Sequence, residues 1–424
     1  MKRHLIRKIL PDIEICKEDR MKRFALCIFI LIVMIVPGQL FAAGQDEASG
    51  QDTGPIKIGV VIPLSGGPFA EAGMESRIGF QMAEKEINAS GGLLGRQIQL
   101  IIEDDQSKPE TGIAACTRLI TQEGVVALMG GYSSTITYAQ MNAIQNYEPL
   151  MIWGGASSTK VEHEFGNRRW FFHMHPWDYH RQSTVVNFLS AINPKPKTIA
   201  LTYEDGIYGT TSADYFRKYA LAAGFEIVLD EPHKSGVADF TSLLTKAKNK
   251  NPDIFYSVSY AGDYIIQIKQ AREIGFKPKA FVIVAPLFPN YVTSLGELGD
   301  NIVGVNPWAP TLNIEGLQDW MKRFRSQYPE KQSFEYWLPL SYSTLMALAE
   351  AIRAAGTTEK EALIKALEEM ELNTPFGMVS FKPSEEGGLH QAFTNLVMVQ
   401  WQKLQPVVVY PPNVAGNALV YPLP

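Results

Sequence analysis

Two short stretches about twenty residues apart hold the residues best suited to gripping a ligand: Met129-Gly130-Gly131-Tyr132-Ser133-Ser134-Thr135 and Ile152-Trp153-Gly154-Gly155-Ala156-Ser157-Ser158-Thr159. Each follows an apolar run of strand length, 125–129 and 149–152, and ends in small and hydroxyl residues. Glycine lets the backbone approach a ligand closely. Serine or threonine at a helix start sets hydroxyls beside free backbone N–H groups and the positive end of the helix dipole. The first stretch opens directly into a helical pattern, and the second reads as a tight turn. Together they suit a carboxylate, with Tyr132, Ser133, Ser134, Gly155, Ala156 and Ser157 as candidate contacts. Two ordinary helix caps are the alternative, since serine and threonine are common at N-caps. Their placement at successive strand ends of an α/β pattern, where such folds bind ligands, favours the pocket.

Three other chemistries have a foothold. Gly131-Tyr132-Ser133-Ser134-Thr135 has the spacing of the G-x-S-x-G nucleophile elbow, but its last residue is threonine. A serine hydrolase also needs an acid and a histidine following in order, and the only late histidine, His390, falls in a segment read as a hinge. Hydrolysis is thus a remote alternative, and the chain reads as a non-enzyme. His173-x-His175 with His180 could suggest a metal, since alternate strand residues share a face; without a carboxylate or cysteine cluster, a solvated hinge strand is the better reading. Glu103-Asp104-Asp105 lacks the spaced oxygen ligands of a calcium loop and reads as a solvated strand end. There is no phosphate-cradling P-loop, and no cofactor is implied.

The elements that must position these residues follow from hydrophobic periodicity. Strand patterns (56–62, 97–103, 125–129, 149–152) alternate with helical ones (70–88, 109–122, 135–146). After an aromatic segment, 170–177, a second series begins, with strands 198–203, 226–229, 253–258 and 281–284 and helices near 209–223, 238–249 and 262–274. This rhythm predicts two doubly wound α/β lobes. Helical patterns near 315–327, 334–355 and 359–370 cannot easily extend the second sheet, so they are placed back on the first lobe; strand-like segments follow at 378–381, 394–401 and 407–410. The chain then crosses between lobes near 175–176, 306–307 and 387–391, a three-strand hinge. The expected division is 56–175 with 307–387 in lobe 1 and 176–306 with 388–424 in lobe 2.

The first residues carry an address. Met21-Lys22-Arg23, an apolar core over 24–36, Pro37-Gly38 and Leu40-Phe41-Ala42-Ala43 have the form of a secretory signal cut near Ala43. The charged segment before it leaves Met1 or Met21 as the start, and a retained anchor is the rival to cleavage, because 24–43 is nearly of membrane-spanning length. Residues 44–55 are polar and read as a flexible leader. The whole chain has 39 Lys and Arg against 44 Asp and Glu. Residues 1–43 hold eight of the former and four of the latter, so the balance without them is −9. That acidity argues against nucleic acid as a partner. Of three cysteines, only Cys116 lies beyond the leader, which excludes an internal disulfide there.

Ordered motifs along the body resemble one family. They are Ile58-Gly59-Val60-Val61-Ile62-Pro63-Leu64-Ser65-Gly66, Glu86-Ile87-Asn88-Ala89-Ser90-Gly91-Gly92-Leu93-Leu94-Gly95, Tyr203-Glu204-Asp205-Gly206-Ile207-Tyr208-Gly209, Asp239-Phe240-Thr241-Ser242-Leu243 and Gln270-Ala271-Arg272-Glu273-Ile274-Gly275. In this order, from about residue 56 to beyond 401, the chain resembles the periplasmic Leu/Ile/Val-binding proteins of ABC importers, type I periplasmic binding proteins. The resemblance implies a periplasmic monomer that closes two lobes on a small carboxylate or amino acid and delivers it to an ABC permease in the inner membrane. It places the ligand carboxylate on Ser134, Gly155, Ala156 and Ser157, with Tyr208, Tyr260 and Trp337 covering the ligand. A sensory module of the same fold is the alternative. One departure stands out: where amino-acid-binding members carry an acid for the ligand ammonium, this chain has Ala285, leaving Asp205 or Asp263 as substitutes or a ligand without an ammonium. A disulfide of some relatives is also absent, with Ser107 at the cysteine position.

Overall fold

The computed structural model describes residues 54–331, 335–393 and 395–424, and from Thr53 onward the chain forms one compact unit. The signal-peptide reading and the leader reading over 44–53 fall outside the described residues, while the carbonyls of Gly54 and Pro55 accept from Arg96. The first lobe is built on a parallel five-stranded sheet of β1 (Ile56–Ile62), β2 (Ile98–Asp104), β3 (Leu128–Gly130), β4 (Met151–Trp153) and β5 (Phe171–His173), in the order β2-β1-β3-β4-β5. Its helices are α1 (Ala70–Ala89), α2 (Pro109–Arg118), α3 (Ser134–Ile144) and α4 (Thr159–Phe165). β1 is buried on both faces, with Ile58, Val60 and Ile62 in one core and Val61 in the other. Covered parallel strands need such near-continuous apolar runs.

The second lobe begins with α5 (Asp178–Ala191) and continues through β6 (Thr198–Glu204), α6 (Ile207–Ala222), β7 (Glu226–His233), α7 (Thr241–Lys250), β8 (Ile254–Val258), α8 (Ala261–Glu273), β9 (Ala280–Val284), α9 (Tyr291–Leu295) and β10 (Val303–Asn306). The helices α10 (Leu317–Gln327), α11 (Trp337–Ala355) and α12 (Lys360–Glu368) then share a core with β1, β3 and β4. A small hairpin, β11 (Leu372–Thr374) with β12 (Gly377–Val379), follows, and the chain returns to the second sheet as β13 (Val397–Gln402) and β14 (Gln405–Tyr410). That sheet has the order β14-β13-β10-β9-β8-β6-β7, with β13 antiparallel to the parallel body and β14 antiparallel to β13. The two doubly wound lobes are those implied by the alternating pattern.

Connections between the lobes pair with one another. His173 N–H donates to the His390 carbonyl at 2.8 Å, and Ala392 N–H donates to the His173 carbonyl at 2.9 Å. The solvated-strand reading of the histidines is corrected here, because His173 and His175 are buried. The His173 ring stacks on Trp177 with centroids 3.5 Å apart, and its Nε2 lies 2.8 Å from the Ala156 carbonyl. The solvated reading of Glu103-Asp104-Asp105 also fails. Asp104 accepts from Leu64, Ser65 and Gln106, Glu103 pairs with Arg118, and Asp105 is buried, its carboxyl pushed up to about 6 chiefly by desolvation. Cys116 is a core residue whose thiol burial pushes up to about 12, an inert group.

Six elements escaped the sequence pattern: β5, α4, α5, α9, β10 and β11. β5 has only three residues. α4 follows the stretch read as a tight turn, and Ser158 caps it by accepting from Lys160 N–H at 3.2 Å. α5 shows little amphipathic contrast because Asp178, Arg181 and Gln182 are themselves buried.

The first lobe depends on a close crossing of α1 and α11. A Cβ placed on Gly79 would lie 2.1 Å from the Leu338 carbonyl oxygen and 3.1 Å from Tyr342 N, and both obstacles are backbone. Gly79→Val is expected to push the helices apart and destabilise the protein by about 1–3 kcal/mol or more, read from the shift in urea midpoint.

Candidate functional site

Both sheets are wound outward from a central strand pair, β1/β3 in the first lobe and β6/β8 in the second. The carboxyl ends of strands beside such a reversal form a crevice, and here the two crevices contribute to one cavity. From the first lobe come Tyr132, Ser134, Ala156 and Ser157; from the second come Arg181, Tyr208, Ser259, Tyr260, Tyr264 and Ala285; Glu335, Tyr336 and Trp337 close one wall. The cavity measures about 50 Å³, against roughly 300–1,000 Å³ for ordinary ligand pockets. The lobes are therefore shut tightly upon each other.

The two glycine stretches meet in a single backbone arrangement. Gly154 and Gly155 N–H groups both donate to the Gly130 carbonyl at 3.1 Å, and Ala156 N–H donates to the Tyr132 carbonyl at 3.1 Å. Gly131 has φ +78°, and its Cβ position is occupied by the Trp153 indole, 2.0 Å from Nε1. A Cβ on Gly155 would fall 2.2 Å from the Gly131 carbonyl carbon. Ala156 is held at φ +64°, a left-handed conformation unusual for a residue with a side chain. The Ser134 hydroxyl opens α3 and accepts from Ser158 N–H at 3.3 Å. Of the candidates, Tyr132, Ser134, Ala156, Ser157, Tyr208, Tyr260 and Trp337 line the cavity. Gly155 stands behind the turn, and Ser133 lies against Tyr260 without lining the cavity.

Aromatic rings join the lobes over this backbone. Phe69, before α1, has its ring centroid 4.6 Å from Tyr260 and 5.2 Å from Tyr132. Tyr132 also meets Trp337 at 5.0 Å, and Trp337 stacks on His175 at 5.3 Å. Burial, reinforced by the Arg181 charge, holds His175 well below its ordinary pKa, so it is neutral.

Arg181 and Glu335, with Ser259, Tyr264 and Tyr336, are lining groups that the sequence pattern did not single out. Arg181 projects from α5, is 3% exposed, and donates through Nη1 to Ser157 Oγ at 2.9 Å. Its Nη1 is 3.8 Å from Asp178 Oδ1, and its guanidinium sits 5.7 Å from the Tyr208 ring centroid. Asp178 accepts from Ser212 Oγ at 2.7 Å and from the Thr211 hydroxyl. Glu335 is buried beside Glu75, which is the ion-pair partner of Lys331. Desolvation first, then the charges of Glu75 and Glu71, push its carboxyl well up. A buried arginine three positions into an unrecognised helix offered no periodic signal; only its charge type could have marked it.

Neither proposed substitute for the missing acid reaches the cavity lining. Asp205 is exposed. Asp263 is buried, but its oxygens are taken by Gly236 N–H at 2.8 Å and by the Ser259 hydroxyl. Ala285, held at φ +51°, does line the cavity. Among the described residues no cluster of three or more potential metal ligands occurs, and no helix is long and apolar enough to cross a membrane.

This architecture of two lobes closed over an interlobe cavity defines a bilobal binding protein, and comparison with known proteins specifies the kind. The pattern of the periplasmic binding protein family matches residues 55–405. Leu/Ile/Val-binding protein homolog 8 of Brucella suis biovar 1 (strain 1330) is 26% identical over 403 residues, covering 90% of this chain and 97% of that protein. Among solved structures, the leucine-binding protein LivK of Thermotoga maritima MSB8 superimposes with TM-score 0.75 at 20% identity, covering 84% of this chain and 99% of that one. The branched-chain amino-acid substrate-binding protein LivJ of Streptococcus pneumoniae, solved with isoleucine, gives TM-score 0.74 at 23% identity, covering 84% and 100%. The chain belongs to the periplasmic binding protein family.

Asp178 gives the site a pH signature. Desolvation outweighs the loosely placed Arg181 and raises its carboxyl from 3.8 to about 7. Between those values the folded state holds a proton that the unfolded state has released, so this stabilisation is full below the unfolded pKa and is lost as pH rises through about 7. Unfolding midpoints are expected to fall from about pH 5 to pH 8, and Asp178→Asn is expected to flatten that decline.

Proposed function

We propose that the interlobe cavity binds a small amino acid or related carboxylate, with Ser134, Gly155, Ala156 and Ser157 placed to hold the carboxylate and Tyr208, Tyr260 and Trp337 to cover the body of the ligand. Tyr132 completes the first-lobe wall, and Ser133 supports it from behind against Tyr260. The observation that carries this reading is the meeting, in one cavity, of the α3 start and the Gly154–Ser157 turn with aromatics of the opposite lobe. Hydroxyls and unpaired helix-start N–H groups suit a carboxylate, while large rings suit an apolar body. Residues 56–175 with 307–387 act as one lobe and 176–306 with 388–424 as the other. The protein is exported as a monomer and hands its ligand to an inner-membrane permease without catalysing a reaction. A non-catalytic role accords with the engagement of the nearby histidines elsewhere: His173 with Ala156 and Gln391, His175 with Tyr336, and His390 with Phe171 and Glu368.

A cavity of about 50 Å³ admits a leucine-sized ligand only if the lobes part, so the free protein must sample an open form that ligand draws shut. In small-angle scattering, saturating ligand is expected to reduce the radius of gyration. An unchanged radius would argue against a site between the lobes.

Ser134→Ala is expected to weaken binding while preserving the fold. A hydrogen bond to a charged group contributes roughly 1.5–3 kcal/mol, which corresponds to a loss of about ten- to a hundredfold in affinity by calorimetry.

A further inference from the structure

Among the described residues, Arg181 is the one permanent cation in the cavity lining, and its surroundings are those of a group awaiting an anion. Its side chain is 3% exposed, Nη1 donates to Ser157 Oγ across the cleft, and Nε is buried without an acceptor. A guanidinium carries five donors in a fixed fork that matches a carboxylate and cannot shed its charge. The nearest carboxylate, Asp178, is a poor counter-ion, because it lies 3.8 Å away and its oxygens are engaged by Ser212 and Thr211. The glycine turn, the α3 start and Arg181 thus converge on one end of the cavity, and all three favour negative charge.

The other lining groups offer nothing comparable for a positive charge. Ala285 lines the cavity with a methyl group and offers no carboxylate to an ammonium. Asp205 is exposed, and Asp263 is tied to Gly236 and Ser259 outside the lining. Glu335 does line the cavity, but it shares a buried neighbourhood with Glu75, and Lys331 is paired with Glu75. Desolvation, reinforced by the charges of Glu75 and Glu71, holds the Glu335 carboxyl well above the usual carboxylate range and so favours its uncharged form. It can donate or accept a hydrogen bond, but it does not balance an ammonium. A zwitterion entering this cavity would bury its ammonium opposite alanine and near a fixed arginine, which is unfavourable.

We infer that Arg181 is the anion anchor of this site and that the ligand is a monocarboxylate lacking an α-ammonium, with a branched or aromatic apolar body, such as a 2-oxo acid or an arylacetic acid. The inference rests on the reading of the interlobe cavity as the ligand site and adds the chemical class of the ligand. Arg181 belongs to the second lobe and Ser157 to the first, so an anion shared between them ties closure to negative charge. The apolar body lies among Tyr132, Tyr208, Tyr260 and Trp337, where ring contact and burial supply affinity that an ammonium ion pair would otherwise provide.

The test is calorimetry of the mature protein with leucine, 4-methyl-2-oxopentanoate and phenylacetate, repeated on Arg181→Met, Arg181→Lys, Glu335→Gln and Ser134→Ala. The wild type is expected to bind at least one of the two acids more than about tenfold tighter than leucine. Arg181→Met is expected to lose that binding by about a hundredfold and Arg181→Lys to keep part of it. Leucine bound as tightly as its oxo acid, or lost on Glu335→Gln, would overturn the inference, as would no binding of either acid. Leucine binding weakened by Ser134→Ala and untouched by Arg181→Met would keep the cavity as the site and remove the role given to Arg181. If neither substitution affects a probe that binds, both readings fall. Should Arg181→Met fail to fold, judged by circular dichroism, the comparison of leucine with the two acids on wild-type protein still decides.

Discussion

The site depends on a steric constraint: two strand-end turns from the same sheet must touch without side chains between them. The Gly131 carbonyl group occupies the space a Cβ on Gly155 would need, and the Trp153 indole occupies the space of a Cβ on Gly131. With that space free, the Gly130 carbonyl receives two N–H groups of the second turn, and Ala156 is forced into its left-handed conformation by the bond to Tyr132. Ser134 and Ser157 then come to the same end of the cavity. Branched residues at either glycine would separate the turns and scatter the hydroxyls they position.

The hinge adds a second constraint, of polarity rather than shape. Where β5 leaves the first lobe, the backbone of His173 is paired with the returning segment at His390 and Ala392. The chain then enters α5, where Asp178 N–H donates to the Ser157 carbonyl at 2.8 Å. This joins the floor of the cleft to the first turn of a second-lobe helix. Buried polar groups are tolerated there because they partner one another: Asp178 with Ser212 and Thr211, Gln182 with Tyr256, and Arg181 with Ser157. A buried network of this kind is costly when incomplete, and among the described residues Arg181 Nε, Gln182 Nε2 and His175 Nδ1 are its buried atoms without a hydrogen-bond partner.

The aromatic wall shows how the same residues serve packing and recognition. Phe69, Tyr132 and Trp337 come from the first-lobe side and Tyr208 and Tyr260 from the second, with neighbouring centroids 4.6–6.0 Å apart. Rings at these separations exclude water and stabilise the shut form without fixing it, since each could exchange a ring neighbour for a ligand. The family relationship accounts for the bilobal frame; the lining of the cleft adds the Arg181 guanidinium and the methyl group of Ala285 to it.

Much of this was determined by sequence, because apolar periodicity is a local property. The solid apolar run of β1 and the 3.6-residue rhythm of α1 give both elements their type and nearly their ends. The glycine and hydroxyl stretches marked the carboxylate end for a similar reason: close approach and helix-start hydrogen bonding need particular residue types at particular positions. Tertiary structure alone decided what periodicity cannot express. It buried His173, His175 and Asp105, which their polarity suggested were solvated, because partners distant in sequence satisfy them or exclude water. It formed α5 around inward-facing polar residues that erase an amphipathic signature, and so brought Arg181 to the cavity. It withdrew Asp205 and Asp263 from the lining and set Glu335 there instead. The physical reason is common to all of them: a charge acquires its role from the solvent it loses and the partners it gains, and neither is fixed until the lobes have folded against each other.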